Sequence, residues 1–283
     1  MIHFKKLFCS FFSVFLIPGI ACSQNLLDYS NSLKYADYLY NTNQYNLAAI
    51  ELERVIFLEP KDTLSKLKLI RSYRYLTEYK TAIERIEKYF PYSLNNIPEE
   101  ISDEYVRNML YENQFQEATG FLQTNKTMDV GIRTEYQLGI FIMQYKWPEA
   151  KLFADEQLGF LDKTERFDSL YTLIKDGLNA NYKSPLLAGS ISAIVPGGGK
   201  VYCGNWIDGI FSFLFVTTST WLTYKSYQKN GFNFNSALIG TFALSFYSAN
   251  IYGSVKSAKR YNQKINQSLR SKADDILLND KKK

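Results

Sequence analysis

Histidine is nearly absent from this chain, the single one being His3, and cysteine is almost as scarce, with Cys9, Cys22 and Cys203 the full set. His3, Cys9 and Cys22 all fall within residues 1–23, which read as a signal peptide. Lys5 and Lys6 precede an apolar run from Leu7 to Ile17, Pro18 and Gly19 break it, and small residues follow at 21–23. That order suits export with cleavage after Ser23. Two other readings stay open: a lipid-modified Cys22 and an uncleaved anchor. A processed chain keeps Cys203 alone and no histidine, which excludes an internal disulfide framework and a Cys/His zinc site. Acid–base chemistry would fall to carboxylates, lysines or tyrosines. Nucleophile elbows, zinc-protease helices and dinucleotide fingerprints are missing as well. The expectation is therefore a protein that is not an enzyme and holds no metal and no cofactor. The densest acidic cluster, Glu99-Glu100 with Asp103-Glu104, follows Pro98, where acidic residues help to start a helix.

What the chain has in quantity is aromatic and apolar residues, with 22 Tyr, 20 Phe and a hydrophobic share of 46%. Such a composition supports packed structure. It also repeats. Tyr45-x-x-Ala48 recurs as Tyr79-x-x-Ala82, Phe115-x-x-Ala118 and Trp147-x-x-Ala150. Leu52 matches Ile86 and Leu122, Leu39 matches Tyr73, and Pro60 closes the first unit. An aromatic residue opening a helix, with a small residue one turn later on the same face, lets a partner helix approach closely. Neither helix of such a pair buries its stripe alone, so neighbouring pairs must stack.

This spacing resembles the tetratricopeptide repeat family. The best unit is Ala36, Tyr45, Ala48, Leu52, Val55 and Pro60; the third and fourth units depart from the pattern, and the family's Trp near each unit start is missing. The resemblance covers residues 26–159 and implies a right-handed superhelix of helix pairs. The first helix of each pair would supply a concave face, on which family register places Asp37, Tyr40, Arg71, Arg74, Arg107 and Tyr111. Three arginines there would favour an acidic or C-terminal carboxylate partner, against the alternative of an ordinary solvated helix surface with Arg stems covering apolar area.

Character shifts at Lys183. Lys183-Ser184-Pro185 leads into an apolar run, Leu186 to Val195, and a glycine-rich turn at Pro196-Gly197-Gly198-Gly199-Lys200. Two longer stretches follow. Residues 207–224 carry Asp208 as their one charge, at the start, and residues 236–255 carry none. Both read as transmembrane helices joined by the polar linker 225–235. The turn lacks the Gly spacing and the Ser or Thr after Lys200 that a phosphate loop needs. Residues 183–262 resemble a small two-transmembrane domain of bacterial envelope proteins. The likeness rests on Lys183-Ser184-Pro185, on Pro196, Gly197, Gly199, Tyr202 and Gly204 of the turn, and on Asn250-Ile251-Tyr252-Gly253. It implies membrane location and no activity.

The net charge of +5 is gathered toward Lys256–Lys283, a basic tail that suggests lipid headgroups before nucleic acid. The expected fold is all-α, a tetratricopeptide-like solenoid of helical hairpins followed by a transmembrane α-helical hairpin. Its parts are a signal peptide at 1–23, repeats at 24–182, a membrane domain at 183–262 and a basic tail at 263–283. The expected function is a non-catalytic scaffold that presents a repeat groove to a protein or peptide partner in the envelope, held by the lipid bilayer of a bacterial cytoplasmic membrane. The alternative is a membrane-active component that assists transport or insertion of envelope proteins.

Overall fold

The computed structural model describes residues 27–91, 94–159 and 164–279; the signal peptide expected at 1–23 lies outside them. Every regular element among the described residues is helical. The helices are α1 (Tyr29–Asn41), α2 (Tyr45–Leu58), α3 (Thr63–Tyr75), α4 (Tyr79–Tyr89), α5 (Glu99–Tyr111), α6 (Phe115–Thr124), α7 (Val130–Met143), α8 (Trp147–Gln157), α9 (Glu165–Leu178), α10 (Pro185–Ile194), α11 (Gly198–Tyr202), α12 (Trp206–Asn230) and α13 (Phe234–Leu277). The chain forms two compact units, Met1–Asn113 and Gln114–Lys283.

The recurring aromatics Tyr45, Tyr79, Phe115 and Trp147 are each the first residue of a helix. Two residues before each, the backbone turns left-handed, at Asn43, Thr77, Asn113 and Tyr145, with φ between 58° and 60°. The hydrogen bonds repeat with it. The amides of Asn43, Thr77, Asn113 and Tyr145 donate to the carbonyls of Tyr40, Arg74, Leu110 and Ile142 at 2.9–3.1 Å. In three of the turns the next amide reaches back five residues, Gln44 to Leu39, Glu78 to Tyr73 and Lys146 to Phe141, at 2.9 Å each. These bonds satisfy carbonyls that a helix end leaves open. The Ala one turn into each new helix, at 48, 82, 118 and 150, is fully buried. First helices begin differently: Asp28, Asp62 and Asp129 cap α1, α3 and α7 by accepting a hydrogen bond from a first-turn amide, which supplies the acceptor those free N–H groups need.

In the first unit α1 pairs with α2 and α3 with α4. Its core gathers Ala36, Leu39, Ala48, Ala49, Leu52, Val55, Ile56 and Leu69, with Tyr40, Tyr73 and Tyr89 packed around it. In the second unit α7 pairs with α8, and α9 packs on both. The long helix α13 then runs across α10, α11 and α12 and on to α7 and α9. At 44 residues it is roughly 66 Å long. Asn233 caps its start in a reciprocal box with Ser236, and the Arg166 guanidinium donates to the Leu277 carbonyl at its end at 2.9 Å.

No helix among the described residues is long and apolar enough to cross a membrane. This corrects the expected transmembrane hairpin and, with it, the placement at a bacterial cytoplasmic membrane. The reason lies in composition. The stretch 207–224 is diluted by Ser212, Thr217, Thr218, Ser219, Thr220 and Thr223. The stretch 236–255 is diluted by Thr241, Ser245, Tyr247, Ser248, Asn250 and Tyr252, and is only the first half of a helix that continues through Lys256, Lys259, Arg260 and Lys264. Most of the linker expected at 225–235 belongs to α12, which leaves Gly231–Asn233 as the connection. Residues 263–277 of the expected basic tail are helix docked on α7 and α9.

A β-branched residue at positive φ is strained, by about 1–2 kcal/mol relative to glycine. Thr77→Gly is therefore expected to raise stability by about 1 kcal/mol, the gain being reduced by the extra freedom glycine has in the unfolded chain. The urea midpoint should rise at unchanged slope; an unchanged or lower midpoint would mean that the left-handed turn is not held at that residue.

Candidate functional site

Three places in the chain gather chemistry-bearing residues, and the first is the face where register places the six groove residues. Helices α1, α3 and α5 lie side by side in the first unit. The Lys68 ammonium donates to Asp37 Oδ1 at 2.6 Å, tying α1 to α3. Arg71 Nε donates to Glu104 Oε1 at 2.9 Å and Arg74 Nε to Glu104 Oε2 at 2.7 Å, tying α3 to α5. Glu104 and Arg74 are almost wholly buried, while Arg71 keeps its outer part in solvent. The Glu104 carboxylate holds the Arg71 guanidinium above its ordinary pKa, against the opposing cost of burial. Arg107 bonds Asp103 one turn away at 2.7 Å. Tyr111 stacks on Tyr79 with centroids 4.2 Å apart, and the Tyr40 ring meets Tyr45 edge-on at 5.6 Å.

Structure thus brings Arg71 and Arg74 together on one carboxylate, with Asp37 in the same ladder. Arg107 and Tyr111 make separate contacts. Each of the three arginines already faces a carboxylate of its own chain. Sequence reasoning missed Lys68 and Glu104, and a signal was present. The left-handed turns at 43, 77 and 113 set the register between first helices, and in it Lys68 and Glu104 are equivalent, as are Asp37, Arg71 and Arg107. Asp37–Lys68 and Arg71–Glu104 are one inter-helix contact with its charges exchanged.

The second place is the glycine turn. Gly197 has φ of +82°, and a Cβ there would lie 2.0 Å from the Gly209 carbonyl oxygen; at Gly199 it would lie 1.8 Å from the Ala188 oxygen. Two backbones therefore touch where side chains cannot fit. Asn250 on α13 closes the turn, accepting from the Gly197 amide at 2.7 Å and donating to the Ser192 carbonyl at 2.9 Å. Asn262 makes the same two-point bond with both backbone groups of Lys183, at 2.7 and 2.9 Å. Pro196 lies in the turn itself. The Tyr202 hydroxyl accepts from the Ser184 amide at 3.4 Å, and Gly204 ends α11 at φ of +82°. Lys200 donates to Ser212 at 2.7 Å. Backbone contacts hold α10, α11 and α12 together here, the Asn250 and Asn262 side chains join α13 to them, and Cys203 is buried within the region.

The third place is a groove of about 750 Å³ on the second unit, walled by α6, α7 and α8. Five glutamines line it, Gln116, Gln123, Gln137, Gln144 and Gln157, with Phe115, Phe141 and Phe153. Among the described residues none of the five amides is hydrogen-bonded to another side chain. Arg133 and Lys146 are the charged lining residues, and no carboxylate faces the groove. The Arg133 side chain donates through one outer nitrogen to the Asn125 carbonyl at 3.1 Å, while its Nε is buried without a partner. Gln137 and Gln144 are seven residues apart on one face of α7 and its end, a spacing whose meaning appears only once α6 and α8 are set beside them. No group of three or more His, Cys, Asp or Glu side chains suited to a metal ion is found among the described residues.

Two substitution sets test these assignments. Glu104→Gln removes the charge that compensates two guanidiniums and is expected to cost about 3 kcal/mol, whereas Glu104→Leu with Arg71→Met and Arg74→Met should recover most of that loss. A single variant as stable as wild type in urea would remove the buried ladder. Gly199→Ala should cost about 3 kcal/mol, because a backbone must move, and Gly204→Ala only about 1 kcal/mol, because nothing lies near its added Cβ. Equal losses at the two glycines would contradict the close approach. No protein-family model, curated protein or solved structure matches this chain.

Proposed function

We propose that this protein is a non-catalytic, tetratricopeptide-like binding scaffold whose groove on α6, α7 and α8 takes an extended peptide segment of a protein partner. The observation that carries the proposal is the row of five unengaged glutamine amides. A side-chain amide both donates and accepts, as does each peptide unit of an extended chain, so a ladder of amides matches main chain without demanding one sequence. Phe115, Phe141 and Phe153 supply apolar ground for alternate side chains. Arg133 and Lys146, unopposed by any lining carboxylate, favour a partner segment with an acidic residue or a free C-terminal carboxylate. The first unit supports this reading differently. Its arginines are held by Asp103 and Glu104, so that face serves to align helices and the partner falls to the second unit.

Selection of the full chain against a displayed library of random linear peptides tests the proposal. Enrichment of extended, acid-containing sequences is expected. Gln137→Leu with Gln144→Leu preserves side-chain bulk and removes two amides. It should weaken the selected peptides roughly tenfold or more, as loss of two or more hydrogen bonds implies. Failure to enrich any peptide, or affinity untouched by the double substitution, would overturn the assignment.

A further inference from the structure

Helix α12 is the least covered element of the second unit. Its inner face, with Gly209 and Val216 buried and Ser212, Ser219 and Thr223 half-buried, packs toward α13 and α11. The opposite face carries Ile207, Phe211, Leu214, Thr218, Trp221 and Lys225, at alternating steps of four and three residues. Ile207, Phe211, Leu214 and Trp221 are each more than half exposed. That alternation is the heptad seam by which one helix packs against another. A helix apolar on both faces is stable only where other groups cover it, and α12 is not apolar enough to cross a membrane.

We propose that this seam is covered by a second copy of the same chain, in an antiparallel two-fold pairing of α12 centred near Val216. The charges select this occupant and its direction. Between Asp208 and Lys225 the helix carries no charge, so the seam offers nothing for a charged hetero-partner to recognise. Asp208 stands at one end of the helix, and Lys225 and Lys229 at the other. A parallel pair would set lysine against lysine. The antiparallel pair sets Asp208 beside Lys225 of the second copy, twice by symmetry, as an isologous contact requires, and opposes the two helix dipoles. In this register Phe211 meets Trp221 of the second copy, and Leu214 meets Thr218. This surface is independent of what the α6–α8 groove takes, and pairing it would present two such grooves on one particle.

The experiment uses the full chain with Cys9, Cys22 and Cys203 all replaced by Ser. Sedimentation equilibrium at micromolar concentration is expected to give twice the chain mass of 32.8 kDa. The double variant Leu214→Cys with Thr218→Cys should form a disulfide-linked dimer under mild oxidation, while either cysteine alone should not. Phe211→Glu with Leu214→Glu should sediment as a monomer with an unchanged circular dichroism spectrum. A monomeric parent chain would overturn the proposal, as would cross-linking of the single-cysteine variants, which marks a parallel or random contact. So would a parent chain that leaves solution for phosphatidylcholine vesicles without self-associating, which would assign the face to lipid.

Discussion

At Asn43, Thr77, Asn113 and Tyr145 the chain turns left-handed for one residue, and the paired helices depend on that residue. Amides at and just after the turn bond back to carbonyls of the first helix. At the turns inside each unit, at Asn43, Thr77 and Tyr145, the second helix then starts at a fixed angle, and a fully buried alanine arrives against its partner one turn later. Any larger side chain at Ala48, Ala82 or Ala150 would force the pair apart. The turn thus sets direction, the alanine sets distance, and the space between successive helices follows from both.

The two units use the surfaces so formed in opposite ways. In the first, the inner positions of α1, α3 and α5 carry charges that answer one another, Asp37 with Lys68 and Arg71 with Glu104. Arg74, buried, adds a second cation to the same carboxylate. A buried ion pair adds little net stability over an apolar contact but penalises misalignment heavily, so its role there is to fix register. In the second unit the surface between α6, α7 and α8 carries amides that nothing in the described chain answers. Chemical groups left without partners in a concave place are where a ligand gains most by binding, and that contrast leads to the peptide groove.

Much of this was legible in the sequence, and particular residues show where legibility ended. The recurrence of Tyr45, Tyr79, Phe115 and Trp147 with alanine three positions later located four helix starts to the residue, because aromatic bulk and small size at one turn's spacing have few other uses. The left-handed turns were invisible, since glycine, the residue that signals them, stands at none of the four positions. The ladder required knowing that Lys68 and Glu104 occupy equivalent places, which the insertion between the second and third units obscures. The stretches 207–224 and 236–255 misled for a different reason. Scarcity of charge suggests a fit to lipid, but their hydroxyls and tyrosines lower the hydropathy below what a membrane crossing needs. Helix α13 also passes through Val255 into Lys256 without a break, because nothing there caps or kinks it. The glutamines of the groove lie on three separate helices, and no single stretch of sequence announces them.

The central claim is that an extended peptide binds between α6, α7 and α8. Amide hydrogen exchange of the full chain, measured with and without a library-selected peptide at saturation, tests it most directly. Slowed exchange confined to residues 115–157 is the result this account expects. Protection that falls instead on α1, α3 and α5, or on the α12–α13 hairpin, would contradict it.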